Sequence, residues 1–120
     1  MPLKDSLNSL IKSVDGSLAA IIMAYDGISI DEVIVKWPAL DMQLLFVEYA
    51  AILRAVKHAV DVIKMGDLEE VSVSTTGVCV IVRVLNDDLF AALVLNRDGN
   101  TGKGRHLLAL KSVEILRELT

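Results

Sequence analysis

The chain has few of the residues that mark several protein classes. Among its 120 residues is one cysteine, Cys79, so a disulfide framework is excluded. Acidic residues outnumber basic ones by 16 to 12, which argues against a general nucleic-acid binder because such proteins carry a basic excess. The longest run without Asp, Glu, Lys or Arg covers residues 71–82, well short of the ~20 that a membrane-spanning helix needs. Lys4 and Asp5 interrupt any apolar signal core, so we expect a cytoplasmic protein without membrane insertion.

Apolar residues, in contrast, are in excess. They make up 53 % without glycine, where ordinary soluble domains reach about 45–50 % with glycine included. Such a chain is not disordered, and its length fits a single domain over residues 1–120. Because a chain of this size buries only about two-thirds of its surface alone, the excess is a first indication of association.

Turn residues divide the chain into eight elements. Asp15-Gly16 ends a first helix, Asp26-Gly27 predicts a hairpin, and Trp37-Pro38 breaks the pattern before Asp41, a predicted helix N-cap. The predicted elements are a helix over 3–14, strands over 18–25 and 28–35, a helix over 42–65, strands over 71–75, 78–85 and 89–95, a flexible loop over 96–104 and a helix over 105–119. Tight turns favour antiparallel pairing, so we predict an α/β (α+β) fold with a five-stranded, mainly antiparallel sheet and helices on both faces.

The long middle helix carries a polar stripe. Projected at 100° per residue, its polar residues apart from Glu48 fall within an arc of about 120°. These residues are Gln43, Arg54, Lys57, His58, Asp61 and Lys64. Clustered basic side chains on an acidic protein can steer an acidic partner, although an ordinary solvated helix face would show the same pattern.

The remaining two-thirds of this helix is apolar, about twice the width that the surface helix of a monomer needs. Ala51, Ala55 and Ala59 form a ridge that permits close helix–helix packing. A bulky flank suited to covering the sheet consists of Leu45, Tyr49, Ile52, Leu53, Val56, Val60 and Ile63. We infer that the alanine ridge packs on a second copy of the chain; the alternative is a cover from the same chain. Glu48, beside the ridge, would find a donor across that dimer or lie at its wet margin.

No arrangement of residues predicts catalysis, a cofactor or a metal. The loop over 96–104 lacks the glycine spacing and the hydroxyl of a phosphate-binding loop. His58 and His106 have no further ligands at metal spacing. The carboxylates of Asp31-Glu32 point to opposite faces of a strand, and Asp87-Asp88 has the composition of a turn. The sequence therefore predicts a non-enzyme.

The order of elements resembles the roadblock family of dynein light chains and bacterial GTPase regulators. The resemblance rests on the strand and turn from Ser17 to Asp26-Gly27, the alanine-rich middle helix, the strand before Thr76-Gly77, and the loop ending Gly102-Lys103-Gly104. It covers essentially the whole chain. It implies a profilin-like fold with the middle helix on one face of the sheet and the terminal helices on the other.

The resemblance also implies a homodimer and a partner. In the family the middle helices pair side by side, and the strand after them pairs with its symmetry mate. Here that strand would be Val71, Ser72, Val73, Ser74 and Thr75, joined in the interface by Glu48 and the alanine ridge. Bacterial members commonly bind a small Ras-like GTPase on the paired-helix face, which here would be the polar stripe.

Two other functions are left open. A small-molecule sensor of PAS or GAF type also uses a five-stranded antiparallel sheet, but it needs an apolar cavity, and an aromatic content of 4 % is low for one. A structural adaptor would differ from a GTPase regulator only in the identity of its partner.

Overall fold

A computed structural model describes residues 2–35 and 41–119, and the predicted break at Trp37-Pro38 lies outside them. The elements are helix α1 (Pro2–Ser13), strands β1 (Ser17–Ala24) and β2 (Ser29–Ile34), helix α2 (Met42–Ile63), strands β3 (Glu70–Ser74), β4 (Val78–Val84) and β5 (Leu89–Asn96), and helix α3 (Thr101–Leu119). Their number, type and order agree with the prediction.

The five strands form one sheet in the order β2-β1-β5-β4-β3, and every neighbouring pair is antiparallel. β1 and β5 lie inside the sheet and are buried on both faces, as the continuous apolar runs in their sequences require. β2 and β3 are the edges. The predicted antiparallel sheet is therefore confirmed.

Two separate hydrophobic layers lie on the two sides of the sheet. On one side, Met42, Phe46, Ala50 and Leu53 of α2 pack on alternate residues of the strands, such as Val80. On the other side, α1 and α3 cover the intervening residues; the side chains of Leu7, Leu10, Leu108 and Ile115 are almost completely buried there. Cys79 lies in this second layer as a buried free thiol. Among the described residues, no helix is long and apolar enough to cross a membrane.

Helix α3 begins at Thr101, so the prediction of a flexible loop as far as residue 104 is wrong. Asn100 starts the helix, because its side-chain Oδ1 accepts the Lys103 N–H at 3.0 Å and its carbonyl accepts the Gly104 N–H at 2.9 Å. Gly104 is buried, and a Cβ atom there would lie 3.1 Å from Leu95 and 3.2 Å from Leu93. The glycine that suggested a loop thus serves close packing of the helix on β5.

Helix α2 is bounded by two identifiable caps. The Asp41 carboxylate accepts the Leu44 N–H at 3.1 Å, which confirms the predicted N-cap. The helix ends at Ile63, two residues before the predicted end, because Lys64 adopts a left-handed conformation with φ 59° and its N–H bonds to the Val60 carbonyl.

Replacing Gly104 by leucine should destabilise the fold by about 1–3 kcal/mol, because the new side chain would overpack the α3–β5 contact. Gly102→Leu is the matched control: Gly102 is exposed in the same helical turn, and a Cβ atom there would contact only the Asn100 side chain at 3.8 Å, so the stability should change by no more than about 0.5 kcal/mol. Urea unfolding of both variants tests the pair. Equal effects at the two positions would contradict the close packing of α3 on β5.

Candidate functional site

Helix α2 turns only one face to the sheet. Met42, Phe46, Ala50 and Leu53 are at most 5 % exposed, and they define the inward direction of the helix. Of the predicted bulky flank, Leu53 is buried, and Leu45 and Tyr49 pack against the same hydrophobic layer. Val56 and Val60 are half-buried.

Ile52 and Ile63 depart from the prediction that they cover the sheet, since they are 42 % and 66 % exposed. The inward face is centred between Phe46 and Leu53 rather than on the bulky flank, so both residues lie outside the buried arc of the helix. On the helical projection they lie on the side of the flank that adjoins the alanine ridge.

The outer face of α2 is apolar and uncovered in the single chain. Ala51, Ala55 and Ala59 are all exposed, as are Leu44 and Val62. Glu48 lies among them, also exposed, and makes no hydrogen bond or ion pair within the described residues. An extended apolar surface with one carboxylate is unusual on the outside of a soluble monomer and commonly marks an interaction site.

Strand β3 is a free edge with two chemically different faces. Val71 and Val73 are half-buried on the side of α2, whereas Ser72 and Ser74 are exposed on the opposite side. The Thr75 N–H donates to the Val78 carbonyl, and the Val84 N–H donates to the Glu69 carbonyl. With the register of the two strands, these bonds show which residues of β3 hydrogen-bond to β4 and which do not. The backbone groups of Glu70, Ser72 and Ser74 therefore point away from β4.

One end of this edge strand is tied to its surroundings by ion pairs. Arg105 of α3 lies 3.0 Å from the Glu70 carboxylate and donates to the Ser72 hydroxyl at 3.3 Å. Arg83 of β4 lies 4.0 Å from the same carboxylate and 3.5 Å from Glu69.

The polar stripe of α2 divides into residues bound within the chain and residues open to solvent. Gln43 donates to the Glu32 carboxylate at 3.0 Å, and the Arg54 guanidinium donates to the Tyr25 carbonyl. His58 and Asp61 are exposed and make no such contact within the described residues. Lys64 is exposed at the end of the helix.

Lys57 is the most constrained residue of the stripe. Its ammonium group lies 4.8 Å from the centre of the Tyr25 ring, donates to the Asp87 carbonyl at 3.1 Å and lies 3.8 Å from the Asp87 carboxylate. Arg54 and Lys57 together fasten α2 to the β1–β2 and β4–β5 turns. We call the contacts of Arg54 and Lys57 with these two turns the clasp. The sequence predicts instead a patch of basic side chains free to contact a partner.

Sequence patterns do not identify Tyr25 and Asp87 as participants in this site. Tyr25 precedes the Asp26-Gly27 turn and Asp87 belongs to a predicted turn, but nothing local in the sequence connects these turns with α2, since β2 and more than half of α2 separate Tyr25 from Lys57. The Tyr25 ring packs 5.4 Å from that of Phe90. Its hydroxyl is buried without a hydrogen-bond partner among the described residues.

This burial has an electrostatic consequence. Desolvation, together with the negative charges of Asp87 and Asp88, raises the pKa of Tyr25 above the usual 10.0. Burial likewise raises the pKa of Tyr49.

No cluster of three or more metal-ligating side chains is present among residues 2–35 and 41–119.

The larger depressions of this part of the chain are surface clefts with charged or polar linings, such as one of about 300 Å³ beside Lys57 and His58. Both sheet faces are filled by side chains, in contrast to the apolar cavity that a ligand-sensing domain needs.

Comparison with known structures places this fold. The Roadblock/LC7 domain from Streptomyces avermitilis matches with a TM-score of 0.84 over 99 % of this chain and 98 % of its own, at 13 % identity. The gliding protein MglB from Thermus thermophilus also matches at 0.84, over 97 % of this chain and 87 % of its own, at 14 % identity. The architecture is therefore that of a roadblock domain.

Sequence similarity extends the likeness beyond the fold. MglC from Myxococcus xanthus is 35 % identical, with 98 % of this chain and 99 % of MglC covered and a TM-score of 0.72. The chain belongs to the Roadblock/LC7 family. No protein-family model and no curated protein sequence matches it.

The two tyrosines of the chain should ionise above pH 10 in the folded protein and near pH 10 in urea. Because the folded-state pKa is raised, the associated stability is complete below pH 10 and is lost as the pH rises through the folded-state value. Near-ultraviolet absorbance titration measures both states. Tyr25→Phe should weaken the alkaline loss of stability, and a native Tyr25 that titrates at pH 10 would contradict its buried hydroxyl.

Proposed function

We propose that the chain forms a homodimer that binds and regulates a small Ras-like GTPase, without enzymatic activity of its own. The observation that carries the proposal is the uncovered apolar face of α2 together with the free edge of β3, a strand whose Val71 packs in the same hydrophobic layer as α2. Each surface alone invites association.

The edge strand is suited to pairing with a second copy. If Ser72 lies opposite Ser72 of the second copy in an antiparallel pair, the outward backbone groups of Glu70, Ser72 and Ser74 all find partners. Glu70 then lies opposite Ser74, so no like charges face each other. The two α2 helices would come to lie side by side above the joined sheets, where Ala55 and Ala59 permit close approach. Self-association on this fold is supported by a solved MglB structure with a tetrameric arrangement.

Ala55→Glu tests the dimer. Because Ala55 is exposed in the single chain, the variant should fold normally, but its carboxylate would be buried without a partner between the helices. Such a charge costs about 3–5 kcal/mol, which corresponds to roughly a hundredfold or more in the dissociation constant. Sedimentation equilibrium measures the change.

Leu110→Glu is the control, since it places the same charge at an exposed apolar position of α3 outside the proposed interface. It should leave the dimer intact. If the Ala55 variant is as dimeric as this control, the alanine ridge is not the interface.

The GTPase assignment comes from the family resemblance and is supported by the solvent-open part of the stripe. His58 and Asp61 project from α2 without contacts in the described chain, whereas Arg54 and Lys57 hold the helix in place. His58 and Asp61 are therefore available for direct contact with a partner, and Arg54 and Lys57 hold α2 in position on the sheet.

Binding to a Ras-like GTPase from the same genome, loaded with GTP or GDP, tests this function. We expect binding to depend on the nucleotide and His58→Glu to weaken it at least tenfold, because the new carboxylate would lose its hydration in the contact without a partner group placed to receive it. His106→Glu, at an exposed position of α3, is the control. Equal binding of both nucleotide forms would favour a structural adaptor, and no binding would exclude the GTPase partner.

A further inference from the structure

A cleft of about 550 Å³ opens between the C-terminal half of α2, residues 67–69 that precede β3, the end of β4 and the β4–β5 turn. Its volume falls in the range of about 300–1,000 Å³ that is typical of ligand pockets. Unlike most such pockets, it is lined mainly by charged groups. They are Lys57, Asp61, Asp67, Glu69, Arg83 and Asp87.

The charges in this cleft do not balance. Lys57 pairs with Asp87 at 3.8 Å, and Arg83 pairs with Glu69 at 3.5 Å. Asp61 and Asp67 remain exposed without an ion pair or hydrogen bond in the described residues. Once its internal pairs are formed, the cleft therefore carries two uncompensated carboxylates.

The rest of the lining suits a side chain with an apolar stem. Leu68 and Val84 are half-buried in the wall of the cleft. A long cationic side chain lays its methylene groups along such surface while its charged end meets carboxylates. A neutral apolar ligand would leave the carboxylates without compensation.

We propose that this cleft receives an arginine side chain from a partner protein. A guanidinium group is favoured over an ammonium group because its planar, five-donor fork binds a carboxylate through two parallel hydrogen bonds and is weakly hydrated. The cleft shares Lys57 and Asp61 with the polar stripe, but its net charge selects a basic partner group at this end rather than an acidic one. The preference of the cleft for a guanidinium group does not depend on the function proposed above. That this group belongs to a partner protein does rest on that proposed function.

Titration of the full chain with n-butylguanidinium, followed by amide chemical shifts in NMR, tests the site. We expect saturable shifts at residues 67–69 and 84–87 with a millimolar midpoint, as befits a ligand of this size. Asp61→Asn with Asp67→Asn should raise the midpoint at least fivefold. The matched control, Asp5→Asn with Asp98→Asn, removes two exposed carboxylates elsewhere and should leave it unchanged.

Three results would overturn the proposal. The first is chemical-shift changes that fail to saturate, or that occur at all surface carboxylates. The second is an unchanged midpoint in the folded Asp61→Asn, Asp67→Asn variant. The third is equal affinity for n-butylammonium, which would reject the preference for arginine. Pentanamide, which is neutral and of similar length, should cause no shifts at the cleft. Because the titration contains no GTPase, its failure is distinguishable from failure of the GTPase-binding experiment.

Discussion

Phe46 and Leu53 hold α2 on the sheet, and burial of each side chain contributes about 1.5–3 kcal/mol. Their positions on the helix fix which direction faces inward and, by exclusion, which residues face out. The alanine ridge, Ile52 and Val62 are exposed for this reason alone.

The clasp made by Arg54 and Lys57 complements this apolar packing. It connects the middle of α2 to two turns at one end of the sheet, so three segments distant in sequence are held at fixed positions. Lys57 pairs with Asp87 within the protomer, whereas Arg54 keeps its positive charge because its partner, the Tyr25 carbonyl, is neutral. Asp61 and Asp67, which are exposed nearby, add negative charge to this surface. Counting charges along the helix alone therefore overstates how basic this surface is.

Local patterns in the sequence predicted the fold to within a few residues. Asp41, Gly16 and the Asp26-Gly27 turn act through their own backbone geometry, and the helical period of α2 predicts a wide apolar face, part of which is exposed in the structure. What could not be predicted depends on contacts between distant segments. Gly104 packs on Leu93 and Leu95, and the Tyr25 ring receives Lys57. The local sequence around a glycine or a tyrosine is the same whether or not a distant segment packs against it. Local patterns therefore could not predict these two contacts.

The edge strand β3 combines an open side with an anchored one. Its hydrogen bonds reach only β4, and the Glu70 end is tied down by Arg105 and Arg83, all three of which are partly exposed to water. Ion pairs of this kind weaken as dissolved salt screens them, whereas the apolar layers on either side of the sheet do not. Rising ionic strength should therefore loosen β3 while the central strands keep their protection from hydrogen exchange, which makes this edge strand responsive to the ionic surroundings of the molecule.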